Sequence, residues 1–203
     1  MTMAERVTVL PDERLIELRP ALLVTVHGVA RELSGEAFAA FLDASMRSLL
    51  VGAFDRVGAH EGTVWLIDEA KTALVPRFNS GADAEKFVGR FQQKLDSGMI
   101  SMVAVTEQPI CENEVCRNAR HDGKLDGELQ VKTWAMLAVP FCFFSELRGV
   151  ISCVQLVGAA SAETTPPGFS AEHLHELQQA AGLLSRVIEY RILAQCLGLE
   201  GLG

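Results

Sequence analysis

The chain has 203 residues, enough for one domain that buries a core of its own without a disulfide or metal staple. Its 26 acidic residues outnumber 18 basic ones, for a formal net charge of −8, and with no Lys/Arg run longer than two this sets the chain against nucleic-acid backbones. No apolar stretch approaches the roughly 20 residues that cross a bilayer, and acids interrupt the opening MTMAERVTVLPDERL where a signal peptide would be apolar, so a cytoplasmic protein is expected.

Residues 1–33 read as an N-terminal extension that is only partly helical. The first 19 are mixed and charged. Pro20, a residue suited to a first helical turn, then opens a stripe of Leu22, Leu23, Val26, Val29, Ala30 and Leu33. Ser34 is the expected cap of a second helix, with Glu36 in its first turn. Phe38, Phe41, Leu42, Ser45, Leu49, Ala53 and Val57 give that helix one face, widened by Met46, Leu50 and Phe54, and Gly58 stops it.

The helical period then gives way to a β-branched and aromatic run. Residues 62–68 and 72–78 read as an antiparallel hairpin, with Pro76 at an edge or a bulge and 79–81 closing it. Ala84, Phe87, Val88, Phe91 and Leu95 predict a helix over 82–97, stopped by Gly98. An apolar run, 99–106, leads into a long polar loop, 107–130. A loop of that length usually has a task. Residues 132–144 and 150–157 form a second hairpin, and 158–168 a loop of small residues. Ser170 and Glu172 begin the last helix.

That helix carries two apolar stripes. Leu174, Leu177, Ala181, Leu184, Ile188 and Ile192 form one; Leu183, Val187, Tyr190, Ala194 and Leu197 form the other. One stripe suffices to pack on a sheet, so the second calls for another partner. The residues after 197 read as a flexible tail. The sum is an α+β fold with an antiparallel sheet, helices on one face and a long loop available to the other.

The stretch 133–157 resembles the GAF domain family in Ala138, Val139, Pro140, Gly149, Val150, Gln155, Leu156 and Val157. Phe169, Ser170 and Glu172 are similar to the opening of the family's last helix, and Gly98 with 105–109 to the segment that enters its pocket. The resemblance spans about 35–195, within a domain read as 34–197. It implies N- and C-terminal helices on one face of the sheet, and on the other a small-molecule pocket roofed by the 82–97 helix and the 107–130 loop. It also implies a regulatory, signal-transducing sensor that dimerises through its terminal helices, rather than an enzyme. No ligand or cofactor is identified. The place where cyclic-nucleotide binders of the family often carry Asn and Lys is Gly158-Ala-Ala, and no cysteine is followed by the His of bilin binders.

Within the implied pocket, Phe78, Phe87, Phe91, Trp134 and Met136 are expected as walls, and Asn79, Thr106 and His121 as hydrogen-bonding groups. An aromatic stripe such as Phe87 and Phe91 is equally what a plain core displays. Cys111 and Cys116 offer an alternative function, a thiol redox sensor or reductase; with His121 they also have the makings of a zinc set, at loose spacing. The reductases of the family place a cysteine soon after the glycine equivalent to Gly98, and here Met-Ile-Ser-Met follows it. Five cysteines, an odd number in a chain expected to be cytoplasmic, are read as reduced thiols. A third reading is a dimerisation scaffold with no ligand.

Overall fold

The computed structural model describes residues 13–33, 35–157 and 165–199. The expected Ser34 cap, residues 1–12, the first part of the 158–168 loop and the end of the tail lie outside the described residues.

The first helix, α1, is Glu13–Glu32 and runs straight through Pro20 rather than starting there. The proline ring removes one internal hydrogen bond, which a helix of this length carries. The expected single helix after residue 34 is two, α2 (Glu36–Phe41) and α3 (Ala44–Arg56). Asp43 divides them, because its carboxylate accepts from the Met46 amide at 2.9 Å and so starts a new helix. The buried face still continues across the break through Phe38, Leu42, Met46, Leu50 and Phe54. Arg47 secures the break by donating to the Leu42 and Ala39 carbonyls at 2.7 and 2.8 Å, and Arg191 of the last helix pairs with Asp43.

Strands β1 (Glu61–Ile67) and β2 (Ala73–Asn79) are the first hairpin. The expected 82–97 helix is reduced to a single turn, α4 (Ala84–Phe87). Gly89, at φ 77°, ends it, and the sheet edge then captures the next segment as β3 (Gln93–Lys94), paired with Ala73 and Leu74. Open edge groups are strong local acceptors and donors, and they outcompete an amphipathic pattern of only five positions. The apolar run is helix α5 (Met99–Thr106). The 107–130 loop contains β4 (Ile110–Glu112), a 3₁₀ turn (Val115–Arg117) and α6 (Lys124–Leu129). Strands β5 (Lys132–Phe143) and β6 (Glu146–Val157) form the long second hairpin, and α7 (Ala171–Cys196) closes the fold. Ser170 caps α7 as expected, and His173 completes a capping box with it: Ser170 Oγ accepts from the His173 amide, and His173 Nδ1 from the Ser170 amide, both at 3.2 Å.

The six strands pair antiparallel in the order β3-β2-β1-β6-β5-β4. Side chains alternate across this sheet. Val64, Leu66, Leu137, Val139, Phe141, Ile151 and Cys153 meet α1, α3 and α7 in the larger core. Trp65, Ala138 and Val150 face the other way, toward Phe87, Phe91, Ile100 and Val103. Gly62 makes the helix face possible: a Cβ there would stand 2.4 Å from the Phe54 ring. Among the described residues no helix is long and apolar enough to cross a membrane.

Candidate functional site

On the sheet face opposite α1, α3 and α7 lies a cavity of about 70 Å³. Its floor follows from strand alternation. Every second residue of β1 (Glu61, Thr63, Trp65) and of β6 (Ser152, Val154, Leu156) lines it, beside Thr133 and Met136 of β5. Its roof comes from Phe87 and Phe91 around α4, Gln93, the start of α5, the loop residues His121 and Asp122, and Leu125, Asp126 and Leu129 of α6.

The polar groups are tied in pairs. Trp65 Nε1 donates to Ser152 Oγ at 2.9 Å. Asp126 accepts from the Thr133 amide and hydroxyl, both at 2.8 Å, and lies 3.2 Å from His121 Nε2. Burial opposes charge on Asp126, but the hydrogen bonds from His121 and from the Thr133 amide and hydroxyl hold its carboxyl below the usual range. Glu61 is the opposite case. Burial, then repulsion from Asp83 and Asp126, pushes its carboxyl up, although Asn79 hydrogen-bonds to it. The site therefore keeps one carboxylate firmly ionised beside another that is poorly stabilised.

A wider groove outside, about 830 Å³, shares Gly98, His121 and Asp122 with the cavity. The wall between them is a seam of modest hydrogen bonds. Gln93 Nε2 donates to the Ser97 carbonyl at 2.8 Å and to Asp122 Oδ2 at 3.3 Å, and Ser97 Oγ reaches the same oxygen at 3.3 Å.

Of the expected site residues, Phe87, Phe91, His121 and Met136 line the cavity. Trp134 does not. The pairing of Thr133 with Leu156 and of Ala135 with Gln155 leaves Trp134 as the extra residue of a β-bulge, which sends its side chain to the helix side. Phe78 is also on the helix side, opposite Val64, after a bulge at Arg77. Asn79 stands behind the lining, donating to Thr63 Oγ1 at 2.9 Å and accepting from the Gly81 amide at 2.7 Å. Thr106 is exposed at the end of α5 and borders the outer groove. Glu61, Trp65, Asp126, Thr133 and Ser152 were not anticipated. The alternation of β1 contains the Glu61, Thr63, Trp65 set, once it is known which face is roofed.

Cys111 on β4 and Cys116 in the 3₁₀ turn are exposed and line neither cavity nor groove. Although Cys111 is exposed as a residue, its sulfur is partly covered beside the Phe169 carbonyl, and that burial, with the Glu112 carboxylate beside it, pushes the thiol up. Cys111, Cys116 and His121 do not gather as a zinc set; among the described residues no three His, Cys, Asp or Glu side chains are arranged to hold a metal ion.

Comparison with curated protein sequences gives no match. Among solved structures the chain is similar to the GAF domain of a phosphoenolpyruvate-protein phosphotransferase from Coxiella burnetii (18% identity, 88% of this chain and 96% of that one, TM-score 0.61). It is similar also to the GAF-B domain of DevS from Mycobacterium smegmatis (17% identity, 76% and 96%, TM-score 0.54). A third likeness is to free methionine-R-sulfoxide reductase from Neisseria meningitidis, solved with its substrate (13% identity, 95% and 99%, TM-score 0.54). At such identities these neighbours speak for the fold alone. The family model described as GAF domain matches residues 36–189. With helices on one face of a six-stranded antiparallel sheet and a roofed cavity on the other, the chain belongs to the GAF domain family.

Proposed function

We propose that this chain is a small-molecule-sensing regulatory domain whose ligand sits between the sheet and the α4–α6 roof. The observation that carries this reading is the cavity, where Trp65, Phe87 and Phe91 stand beside polar groups converging from Glu61, Thr133, Asp126 and Ser152. Among the described residues the lining includes Glu61, Asp122 and Asp126 and neither Lys nor Arg, so the ligand is neutral or cationic. Its access route is the seam of Gln93, Ser97 and Asp122, which separates the small cavity from the open groove.

The floor strands carry the signal. Their opposite faces pack on α3 and α7, so a ligand that prefers one spacing of roof and floor biases those helices. The second stripe of α7 supports a dimer. Leu183, Tyr190 and Leu197 are 52%, 74% and 48% exposed and recur every seventh residue, with Val187 and Ala194 between them in a heptad seam.

One observation favours the scaffold reading: about 70 Å³ is small beside the roughly 300–1,000 Å³ of ordinary ligand sites. A thermal-shift panel of amino acids, nucleosides and polyamines separates the two. The sensor reading expects at least one compound to raise the melting temperature of the wild type and not of Val154→Trp, which fills the cavity from β6. A wild type that responds to none of them supports the scaffold.

A further inference from the structure

A second cavity, of about 480 Å³, lies at the end of the sheet where α1, the β1–β2 turn and the start of β6 meet. Part of its wall is apolar, built by Leu33, Leu66, Phe143 and Leu147, and charged side chains line the rest. Into this wall is set a guanidinium with unused donors. Arg148 is only 14% exposed in its side chain and lies over the Phe143 ring, 5.0 Å from the centroid. Its Nη2 is 2.7 Å from Glu146 Oε2, close enough for an ion pair but out of hydrogen-bond alignment, and among the described residues neither Nε nor Nη2 has a hydrogen-bond partner.

The surrounding charges do not complete it. Arg31, from α1, is close enough to repel Arg148, and Lys71 borders the same cavity. Of the three acids on the lining, Glu146 divides its carboxylate between Arg148 and His27, the latter at 3.7 Å. Asp68 is occupied by the Thr72 amide and hydroxyl and the Ala73 amide at 2.7, 2.9 and 3.0 Å. Glu69 is exposed in the turn. Buried donors without acceptors are costly, and an oxyanion offers the planar, bidentate match a guanidinium takes best.

We propose that this cavity binds a small organic anion, a carboxylate or phosphate monoester with an apolar body. The head group sits between Arg148 and Arg31, and the body lies on Leu66, Phe143 and Leu147. Arg31 and Leu33 belong to the N-terminal helical segment, so the anion also fastens that segment to the sheet. This site is separate from the cavity under the α4–α6 roof and does not rest on the function proposed for it.

The test is calorimetric titration of the full chain with hexanoate, hexyl phosphate, inorganic phosphate and the neutral hexanamide. Hexanoate or hexyl phosphate is expected to bind, with inorganic phosphate and hexanamide each weaker by about tenfold or more. Arg148→Met and Arg31→Gln are each expected to weaken binding by a similar factor. Arg31 is exposed, so its variant keeps the test open if Arg148→Met does not fold. Equal binding of hexanoate and hexanamide, no binding of either anion, or full binding by Arg31→Gln overturns the proposal. Inorganic phosphate binding as tightly as hexyl phosphate overturns the apolar part of it.

Discussion

Trp65 and Ser152 join β1 to β6 through the cavity floor, the indole Nε1 donating to the serine hydroxyl at 2.9 Å with both residues about 4% exposed. The bond holds one aromatic wall of the site at a fixed angle, and the Phe91 ring meets the Trp65 ring edge-on at 6.2 Å. Ser152→Ala leaves a buried N–H unpaired, so a loss of about 1–3 kcal/mol is expected in urea unfolding. Unchanged stability would mean that water or another group satisfies the indole.

Two glycines are required for different reasons, and their substitutions rank accordingly. A Cβ on Gly149 would stand 1.8 Å from the Trp65 carbonyl oxygen, a backbone atom that cannot swing aside. A Cβ on Gly62 would meet the Phe54 ring, which is buried but able to shift. Gly62→Ala is expected to cost about 1–3 kcal/mol and Gly149→Ala more than that, read as midpoints of chemical denaturation. The reverse order would contradict the placement of β1 against β6.

Acid should act on Glu61 and Asp126 in opposite senses. The Glu61 carboxyl is raised above its ordinary 4.5, mainly by burial, so the folded state binds its proton more readily than the unfolded chain does. Its ionisation therefore costs stability as pH rises through that raised value, and Glu61→Gln should stabilise the protein at pH 7. The gain should vanish below pH 4.5. Asp126 is held below 3.8 despite burial, by its hydrogen bonds, so it contributes stability above that value and loses it as pH falls through the folded one. Asp126→Ala should cost about 2 kcal/mol at pH 7 and much less in acid. Melting temperatures of the three proteins from pH 3 to 7 check both signs.

The exposed stripe of α7 gives a test of assembly. Tyr190→Glu places a charge at a position 74% exposed, where a monomer tolerates it and a helical seam does not. The sedimentation coefficient is expected to fall from that of a dimer to that of a monomer, with the circular dichroism spectrum unchanged. A wild type that already sediments as a monomer would contradict the helix-mediated part of the account.

Local chemistry made part of this fold legible. Runs of β-branched, aromatic and other apolar residues around turn residues marked both hairpins, and the Ser170 cap needed only its own neighbours. The roof was harder. The stripe at Ala84, Phe87, Val88, Phe91 and Leu95 has helical spacing, but Gly89 ends the helix after one turn and the free edge of β2 pairs with Gln93 and Lys94 as β3 before Leu95. The site depended on facts that are not local. One extra residue at Trp134 and another at Arg77 change which side chains face the cavity, and bulges show only in the pairing of distant strands. Asp126 and Glu61 look like solvated loop and strand-end acids until α6 packs on the sheet, setting Asp126 against Thr133 and both acids into the cavity lining.

The central claim, a ligand cavity over the sheet, is tested most directly by the two tryptophans of the chain. The Trp65 indole lines the cavity, and Trp134 lies on the helix side of the same sheet. In ¹⁵N-labelled protein their indole N–H resonances are an internal comparison, to be followed while amino acids, nucleosides and polyamines are titrated in. The account predicts that at least one compound moves the Trp65 resonance in a saturable way and by much more than that of Trp134. A Trp65 resonance that stays fixed throughout, or that moves only in step with Trp134, would contradict it.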